Sequence, residues 1–418
     1  MESMVLKMRK MKDSGIEWIG EIPEGWELTK VKRIFDIGRG RVISQQELTS
    51  VGYPVYSSQT KNNGCLGYIS TYDFDKSQLT WTTDGVNAGT VFLREGKHNC
   101  TNVCGTLAPK NDTNDLRYLK YALEYIAFYH KRADINGFKI MNNEMAEIEL
   151  LLPPLFEQQN IANYLDFKCS QTQSILEQSL FSIEEYKKLK QAVITQAVTK
   201  GVRGEREMKD SGVEWIGEIP KEWVCEKIKY ATSISRGLFN HRPRNDERYY
   251  NGKYPFIQTG DVANATKYIV SYSQTLNELG KSVSKDFPKG TLTMTIAANV
   301  GDVAILNFDA YFPDSVVGFV PNKNIRTLYL FYVFSAMKDE FIRTAIKSTQ
   351  LNLNIDRVKE TFIPVTLNVN EQCEIENYLE SKCAEIDGLI AKKEQLVKEL
   401  ESYKKSLIYE VVTGKREV

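Results

Sequence analysis

Hydrophobic side chains recur at helical spacing in two long segments of the chain, each of which follows a proline-containing stretch. In the second segment the apolar positions alternate at intervals of three and four residues, and the first segment has a less regular stripe of the same kind. This period, kept over about six turns, predicts a long helix with a coiled-coil seam. Because neither helix can bury its seam alone, we expect each to pack against the other. The residues predicted to form the helix–helix interface are Leu180, Ile183, Tyr186, Leu189 and Val193 in the first helix and Leu379, Ile386, Leu389, Leu396, Leu400, Tyr403 and Leu407 in the second.

The regions before the two helices have a different pattern. Short alternating runs such as TVFLR (90–94) and VAILN (303–307) are separated by turn-forming residues, which is typical of strands joined by turns. Each region also contains one apolar helical segment, at 116–132 and at 327–346. We therefore predict a mixed α+β globule before each long helix, and each helix should end near a glycine, Gly201 or Gly414.

The chain contains an internal repeat. MKDSGIEWIGEIP (11–23) returns as MKDSGVEWIGEIP (208–220), and EQQNIANYLDFKC (157–169) returns as EQCEIENYLESKC (371–383). Such self-similarity indicates two head-to-tail copies of one unit, and the stretches between the matched ends share only traces. The predicted divisions are a first globular domain at 1–155, a first long helix at 156–205, a second globular domain at 206–365 and a second long helix at 366–418.

Composition places the chain among ordinary globular proteins, with 42% hydrophobic residues in 418 and no net charge. No run reaches the roughly 18 consecutive apolar residues of a membrane span, and the basic start MESMVLKMRK lacks the apolar core of a signal peptide. We therefore expect a cytoplasmic protein. Seven cysteines without a CxxC pair and only three histidines favour reduced thiols over a disulfide framework or a zinc site.

Sequence motifs of catalysis are missing. GKS (280–282) resembles the end of a phosphate-binding loop, but Thr275 stands where the first glycine should be. No dinucleotide-binding, zinc-protease, nucleophile-elbow or EF-hand pattern occurs. We therefore predict a non-catalytic binding protein with two different heads. Two alternatives stay open: a scaffold whose heads bind only peptides or proteins, and an enzyme whose motifs have diverged.

Charge is unevenly distributed along the neutral chain. The segments 29–41 and 235–253 are locally basic, which is typical either of solvated loops or of phosphate contacts. A neutral chain argues mildly against a dedicated nucleic-acid-binding domain. On the other hand, two similar heads form a pseudo-twofold object that can present one head to each half of a DNA target. Because the variable regions differ, such half-sites should differ in sequence.

The repeated EWIGEIP, the YPVYSSQTKNNGCLGY stretch (53–68), the YPFIQTGDV stretch (254–262) and the VTKG and VVTGK helix endings resemble the specificity subunit of a type I restriction-modification enzyme. The resemblance covers nearly all of the chain after residue 10. It implies two target-recognition domains, each of which reads one half of an asymmetric, bipartite double-stranded DNA sequence. It also implies that the two long helices pack antiparallel as a coiled coil, set the spacing between half-sites and dock two modification subunits.

The same resemblance implies the chemistry of the partners. The specificity subunit performs none itself, while the modification subunits bind S-adenosylmethionine and methylate adenine, and restriction subunits carry ATP-driven translocation and nuclease activity. S-adenosylmethionine, ATP and Mg are therefore expected on partner subunits, and this chain should bind no cofactor. One departure is the N-terminal extension MESMVLKMRK, which is expected to have no counterpart in the second copy.

Candidate DNA contacts are side chains that suit base edges or phosphates and lie in loop-like sequence. Arg can bridge N7 and O6 of guanine, and Asn or Gln can pair with N6 and N7 of adenine, each good contact discriminating by roughly 1 to 3 kcal/mol. The predicted DNA-binding residues are Arg39, Arg41, Ser58, Gln59, Lys61 and Asn62 in the first domain and Arg236, His241, Arg242, Arg244, Gln258, Thr259, Lys347, Gln350 and Asn352 in the second.

Tryptophans occur in the repeated frame and not in the variable regions. Trp18 and Trp215 are one repeated pair, and Trp26 and Trp223 are another. We therefore expect these rings to pack within the protein, docking each domain against a helix, and not to stack on bases.

Overall fold

A computed structural model of the protein describes residues 9–135, 137–347 and 351–418. The chain divides into two compact units. Unit 1 comprises the chain up to Leu180 together with Gln395–Val418, and unit 2 comprises Phe181–Glu394. Each of the two long helices therefore contributes one segment to unit 1 and one to unit 2. Within the described ranges, no helix is both long and apolar enough to span a bilayer.

The first copy of the repeat ends in the first long helix. Its strands are β1 Met11–Asp13, β2 Glu21–Pro23, β3 Glu27–Lys30, β4 Phe35–Arg39, β5 Tyr53–Tyr56, β6 Cys65–Ile69, β7 Gln78–Thr82, β8 Asp84–Gly85, β9 Val91–Arg94, β10 Asn99–Cys100, β11 Cys104–Pro109, β12 Arg132–Asp134, β13 Gly137–Lys139 and β14 Glu149–Leu152. Its helices are α1 Val31–Ile34, α2 Leu116–His130, α3 Asn142–Glu147 and α4 Leu155–Lys200, with 3-10 turns at Gln45–Glu47 and Lys61–Gly64.

The second copy follows the same plan. Its strands are β15 Met208–Asp210, β16 Glu218–Pro220, β17 Val224–Lys227, β18 Thr232–Arg236, β19 Tyr250–Phe256, β20 Tyr268–Ile269, β21 Gln274–Leu276, β22 Asp286–Phe287, β23 Leu292–Thr295, β24 Val303–Leu306, β25 Ala310–Tyr311, β26 Val316–Pro321, β27 Ile346–Lys347, β28 Leu351–Asn352 and β29 Phe362–Val365. Its helices are α5 Ile228–Ala231, α6 Thr259–Asn264, α7 Glu278–Ser282, α8 Thr327–Ala336, α9 Lys338–Thr344, α10 Ile355–Glu360 and α11 Val369–Val412, with a 3-10 turn at Glu247–Tyr249.

Unit 1 is built around the antiparallel sheet β4-β11-β7-β9. Helix α2 packs against this sheet, and its first turn is capped by Asp115, whose carboxylate accepts hydrogen bonds from the backbone N–H groups of Arg117 and Tyr118. One apolar cluster joins the sheet and α2 to the hairpin β1–β2, the start of α4 and the end of α11. A second sheet, β10-β5-β6, carries the loop described below.

Unit 2 is built around the five-stranded sheet β18-β26-β23-β24-β20, and its second sheet has the order β21-β19-β25-β22. The segment 327–346, predicted as one helix, forms α8 and α9 with a break at Met337. The break turns the chain so that Phe341 packs edge-on against Phe334, with ring centroids 5.7 Å apart. Because both rings are buried, packing in the core outweighs the continuity of the helix.

The divergent regions share one strand order. In unit 1, β11 is flanked by β4 and β7, and β9 pairs with the far edge of β7; β26, β18, β23 and β24 repeat this order and these antiparallel directions in unit 2. Gly89 and Gly301, in the equivalent turns, have φ of 88° and 84°, which favours glycine. The predicted fold class, a mixed α and β structure with two long helices and an internal repeat, is confirmed.

The long helices run antiparallel inside each unit. In unit 2, Lys190 Nζ lies 2.7 Å from Asp387 Oδ2. Arg203, thirteen residues further along, has Nε 2.7 Å from Oε2 of Glu374, which lies thirteen residues before Asp387. In unit 1, the contact equivalent to Lys190–Asp387 joins Lys404 Nζ and Gln173 Oε1 at 3.5 Å, so an amide replaces the acid there.

The seam of the helices differs from the predicted one. Among the predicted interface residues, Ile183, Leu379, Ile386 and Leu407 are buried, and Tyr186, Val193, Leu396 and Leu400 are half-buried. The structure leaves the other four exposed, which corrects the prediction for Leu180, Leu189, Leu389 and Tyr403. On α4 the buried positions continue instead through Leu165, Cys169, Thr172, Leu176 and Ser179.

Small polar residues account for this shift. Ser179 is buried while its neighbour Leu180 is 52% exposed, because alternating steps of three and four from Leu176 reach position 179. The Thr172 hydroxyl donates to the carbonyl oxygen of Lys168 at 2.9 Å, so its burial leaves no polar atom unpaired. The prediction had followed the larger apolar residue at each turn.

A buried tryptophan joins each domain to its long helix. Trp26 Nε1 donates to Glu157 Oε2 at 3.0 Å, and Trp223 Nε1 donates to Glu371 Oε2 at 3.1 Å. Both indoles are at most 1% exposed. The expectation that these two repeated rings pack within the protein is confirmed.

An arginine completes this arrangement in both copies. Arg206 Nη1 lies 2.6 Å from Glu371 Oε1, with its guanidinium over the indole of Trp223. Arg9 Nη2 lies 2.5 Å from Glu157 Oε1, again with the guanidinium over the repeated indole. Arg9 and Arg206 are separated by the same offset as the two hairpins. The prediction that the residues before Met11 have no counterpart was therefore wrong, because the repeat extends back at least to Arg9.

Candidate nucleic-acid interface

Arg39 and Arg236 end the equivalent strands β4 and β18. Arg39 Nε donates to the carbonyl oxygen of Asn102, and Arg236 Nε donates to that of Asp314 at 2.6 Å. Each arginine thus holds the loop that precedes the neighbouring strand. Both side chains are exposed, and a terminal nitrogen of Arg39 lies 3.9 Å from Asp84 Oδ2. The guanidiniums are therefore positioned by the fold and remain accessible to a ligand.

Arg41 lies beyond the end of β4 and is already paired. Its Nε lies 3.0 Å from Asp73 Oδ2, and its Nη1 lies 3.4 Å from Glu47 Oε2. Two carboxylates next to one guanidinium cancel its positive charge, so a phosphate would have to displace one of them. Of the two predicted arginines in unit 1, Arg39 is thus the one that needs less rearrangement to contact DNA.

The loop between β5 and β6 carries the other predicted contacts of unit 1. Asn62, Asn63 and Gly64 adopt positive φ in succession, 50°, 52° and 78°, which folds the chain into a tight turn closed by Ser57 N donating to Gly64 O at 2.9 Å. Gln59 Nε2 donates to the carbonyl oxygen of Cys65, so that amide is used inside the loop. Ser58 is half-buried, whereas Lys61 and Asn62 are exposed.

A buried arginine supports this loop from below. Arg94 is 1% exposed; its Nη1 donates to Asn63 O at 2.6 Å and its Nε donates to Thr80 Oγ1 at 3.0 Å. Its guanidinium lies 3.6 Å from the ring centroid of Tyr56, while Nη2 has no partner in the described structure. Burial lowers the pKa of Arg94. A Cβ on Gly64 would lie 2.8 Å from Nη2, so glycine is required above it.

The loop between β18 and β19 holds three predicted contacts of unit 2. His241 stacks on Tyr249 with ring centroids 4.0 Å apart, and its Nε2 lies 2.9 Å from Asp246 Oδ2. Hydrogen bonds from Arg248 are the largest cause that lowers the pKa of Asp246, so this carboxylate is charged at neutral pH. His241 is therefore fixed on both sides.

Arg242 and Arg244 converge on one acid. Arg244 Nη2 forms an ion pair with Asp314 Oδ1, and Arg242 Nη2 lies 3.7 Å from Oδ2 of the same carboxylate. Both arginines are exposed. Two cations around one carboxylate leave a net positive charge at this loop, which suits phosphate.

The remaining predicted contacts of unit 2 are divided. Gln258 precedes α6, and its amide Nε2 donates to Gln274 Oε1 at 2.9 Å, so the side chain is engaged within the protein. Thr259 is half-buried at the first position of α6. Gln350 and the side chains of Lys347 and Asn352 lie outside the described residues.

The hairpin β12–β13 of unit 1 was missed by the sequence prediction. It pairs with β8 and therefore lies next to Asp84, the acid near Arg39. Arg132 is exposed and has Nε 2.7 Å from Glu144 Oε1, and Ile135 near the tip is 99% exposed. The signal was available in the sequence as the Asn-Gly dipeptide at 136–137, which marks a turn. Arg94 was also missed, because a charged residue at the end of a strand gives no local sign of burial.

No group of three or more His, Cys, Asp or Glu side chains suited to a metal ion occurs in the part of the chain that is described. All seven cysteines are free thiols. Burial raises the pKa of Cys104 to about 11, and also raises that of Cys100. These two thiols are therefore protonated at neutral pH.

The model of the type I restriction modification DNA specificity domain matches the chain twice, at residues 23–185 and 234–399. A Mycoplasma pneumoniae protein, provisionally named a type I specificity subunit, is 28% identical over 343 residues, which are 80% of this chain and 84% of that protein. The specificity subunit of the type I restriction enzyme MpnII, from the same organism, is 33% identical over 214 residues, which are 50% of this chain and 57% of that subunit.

Solved structures share the fold. A chain from the study of complex assembly and conformational transition of the type I R-M system superposes with a TM-score of 0.73 at 13% identity, covering 94% of this chain and 99% of that one. The HsdS subunit from Thermoanaerobacter tengcongensis gives a TM-score of 0.50 at 14% identity, covering 94% of this chain and 98% of that subunit.

Proposed function

Because the chain belongs to the family of type I restriction modification DNA specificity domains, we propose that its two units each read one half of an asymmetric, divided DNA target. The observation that carries this proposal is that the two units share one strand order but have different side chains on their loops. Because the strand order is the same, the loops of the two units occupy equivalent positions, and different side chains at those positions recognise different bases. The chain itself contributes recognition and no catalysis.

In unit 1, the proposed contacts centre on the loop above Arg94. Asn62 offers an amide that can pair with N6 and N7 of adenine, and Lys61 offers a cation to phosphate. Neither side chain has a hydrogen bond or ion pair within the described structure, so neither has to be released before it binds. Arg39 adds a guanidinium beside the hairpin β12–β13, which suits guanine or phosphate.

In unit 2, the proposed contacts centre on the β18–β19 loop. Arg242 and Arg244 share Asp314, and this shared acid orients two guanidiniums that can bind phosphate or guanine. Among the described residues, Arg236, the counterpart of Arg39, is held through Nε alone. The two units therefore offer different donors around an equivalent arginine.

The long helices have two proposed roles. They set the spacing between the two half-sites, and they dock two modification subunits. Those partners, and not this chain, would bind S-adenosylmethionine and methylate adenine, and restriction subunits would supply ATP- and Mg-dependent steps. The antiparallel helix segments found in each unit support this proposal, since each helix contributes to both units.

The test is a map of methylated adenines after expression of the chain with its modification subunits. Exchanging residues 231–362 for those of another family member should change one half of the methylated sequence and leave the other half intact. A change in both halves, or in neither, would contradict separate reading by the two units.

Substitutions within one loop sharpen the test. Lys61→Ala with Asn62→Ala should weaken binding of the target duplex and relax discrimination in one half only. Arg33→Ala is the matched control, because Arg33 is exposed in α1 at the opposite end of β4 from Arg39. Equal losses from both variants would show that only diffuse charge is involved.

A further inference from the structure

The repeated hairpins, residues 11–23 and 208–220, are more alike than their fold requires. They differ at one position of thirteen, although the variable regions that follow them share only traces. Several identities are structural: Ile19, Ile22 and Pro23 are buried, as are their counterparts in the second copy. Gly15 and Gly20 have positive φ in both copies, where other residues are strained.

Local hydrogen bonds explain two more identities. Asp13 Oδ1 accepts from Gly15 N at 3.0 Å, and Ser14 Oγ accepts from Ile16 N at 3.1 Å. The same two bonds recur in the second hairpin. The fold therefore accounts for the turn and the buried edge of each hairpin. It does not account for the charged residues of the outer surface, which we define as Lys12, Glu17 and Glu21 with the exposed edge of Trp18, and their counterparts.

Three identical charged side chains in each hairpin remain without a structural reason. Lys12, Glu17 and Glu21 are exposed, as are their counterparts Lys209, Glu214 and Glu218. None of these six forms a hydrogen bond or an ion pair in the described part of the chain. The repeated tryptophans are partly explained by packing, since Trp18 stacks on Tyr129 with ring centroids 5.5 Å apart and Trp215 packs against the apolar cluster of unit 2. Trp18 nevertheless remains 37% exposed, and Trp215 is half-buried, with an indole N–H that has no partner among the described residues.

Neighbouring exposed positions show that drift is permitted here. Glu24 N donates to Lys10 O at 3.0 Å, and Lys221 N donates to Glu207 O at 2.9 Å, so the backbone geometry is the same in both copies. The side chains at these positions have exchanged their charges, Lys10 for Glu207 and Glu24 for Lys221. The sign of the charge at the base of the hairpin, at Lys10 and Glu24, therefore differs between the copies. The charges on the outer surface are the same in both copies.

We propose that the outer surface of each repeated hairpin is a docking surface for one copy of the same partner protein, two copies in all. This inference rests on the proposed function, which supplies a partner present twice, the modification subunit. The contact on that partner would place cationic side chains opposite the two carboxylates and an apolar recess around the indole edge. Aromatic anchors surrounded by a polar rim are typical of interfaces between proteins.

The experiment counts modification subunits bound to the full-length chain by native mass spectrometry. Glu17→Lys with Glu21→Lys should remove the subunit from one hairpin, and Glu214→Lys with Glu218→Lys should remove it from the other. The four changes together should remove both, with each altered site weakened at least tenfold (about 1.4 kcal/mol). The matched control is Lys10→Glu with Glu24→Lys, which gives the first hairpin the charges that the second hairpin has at these positions and should leave two subunits bound.

Hydrogen exchange on the unaltered chain provides a second measurement that does not depend on the variants folding. Amides of residues 11–23 and 208–220 should become protected when the modification subunit is added. Two bound subunits on all variants, with no protection of the hairpins, would overturn the docking surface and leave the proposed function intact. In that case, exchange of sequence between the two halves of the gene would account for the identity. An unaltered chain that binds no modification subunit would instead overturn the proposed function.

Discussion

Each unit contains two main sheets, and the units differ most in the side chains that lie between those two sheets. In unit 1 this space is polar: Arg94 lies under the loop of β5 and β6, and Gln78 Nε2 lies 2.9 Å from His98 Nε2. Asn99 Nδ2 donates to Thr71 O at 2.9 Å. Burial lowers the pKa of His98, so this imidazole is neutral in the folded unit at neutral pH.

In unit 2 the same space is apolar. Leu306 occupies the position in β24 that Arg94 has in β9, because the preceding residues pair with equivalent positions of the central strand. Phe287 and Phe312 stack with ring centroids 3.6 Å apart, and both are buried. A cluster of nine buried apolar residues joins the two sheets.

The difference shows that the same strand order can support its loops in two ways, through hydrogen bonds from a buried side chain or through apolar packing. Hydrogen bonds from a buried cation are directional, so unit 1 specifies the conformation of a short loop. Burial of apolar surface is not directional, so the apolar support in unit 2 does not fix a loop through hydrogen bonds. Divergence between the two copies therefore reaches the support beneath the loops as well as the loops themselves.

The largest expected effect is on the apolar side of this comparison. Phe312→Ala should lower the free energy of unfolding of unit 2 by roughly 3 to 5 kcal/mol, because it removes a fully buried ring and leaves a cavity. Chemical denaturation followed by hydrogen exchange in each unit measures the change. Phe312→Leu is the control and should cost less. A loss below about 1 kcal/mol would mean that stacked rings do not hold the two sheets of unit 2 together.

On the polar side, Arg94→Leu introduces the residue that unit 2 has at this position. It should lower stability by about 1 to 3 kcal/mol, because the buried Thr80 Oγ1 and the partly buried Asn63 O lose their donor. It should also raise hydrogen exchange in residues 57–64 and reduce reading of one half-site. Arg94→Lys keeps the charge and tests whether geometry matters. Unchanged exchange in this loop would refute the support by Arg94.

The tryptophan anchors give a smaller and graded effect. Trp223→Phe should cost roughly 1 to 3 kcal/mol, because Glu371 is buried and loses a hydrogen bond, whereas Trp26→Phe should cost less, since the Glu157 side chain is 24% exposed and water can replace the donor. Calorimetry of both variants measures the order. Equal costs would show that burial of the carboxylate is not the controlling difference.

The smallest effect concerns two exposed clamps that the units share. Lys30 and Lys32 lower the pKa of Glu147 to about 2, mainly through hydrogen bonds, and Lys227 and Lys229 do the same to Glu360. Because the folded pKa is below the ordinary value, the stabilisation is present above about pH 4.5 and is lost as the pH falls towards about 2.

Glu147→Gln and Glu360→Gln should therefore each flatten the dependence of melting temperature on pH in that window, by similar small amounts. Glu24→Gln is the control, an exposed acid without an ion pair in the described chain. A larger change at pH 7 than at pH 3 would be expected, and the reverse order would contradict the assigned sign.

Features that depend on local sequence were predicted well. The long helices end at Lys200 and Val412, next to Gly201 and Gly414, whose φ values are 73° and 72°. Strands β9 and β24 fall within the alternating runs. Each of these follows from the residues of one segment, through period or turn chemistry.

Features that depend on distant contacts were not predictable. Nothing near Arg94 indicates that Tyr56 and Asn63 enclose it, and the exposure of Leu180 follows from a register set by Ser179 and Thr172. The candidate contacts are affected in the same way: Gln59 and Gln258 have suitable chemistry, but the folded chain uses their amides internally. Availability to a ligand is a property of the tertiary structure.

Unit 1 contains both ends of the chain and unit 2 contains its middle, which has a consequence for synthesis of the chain. The main apolar cluster of unit 2 lies between Ile194 and Cys383, whereas that of unit 1 begins at Ile19 and needs Leu407, Val411 and Val412. Domains usually fold in the order in which the ribosome makes them. Here all residues of the unit 2 cluster are translated before the unit 1 cluster is complete. Unit 1, although it begins first, keeps an open apolar face until the last turns of α11 have been translated.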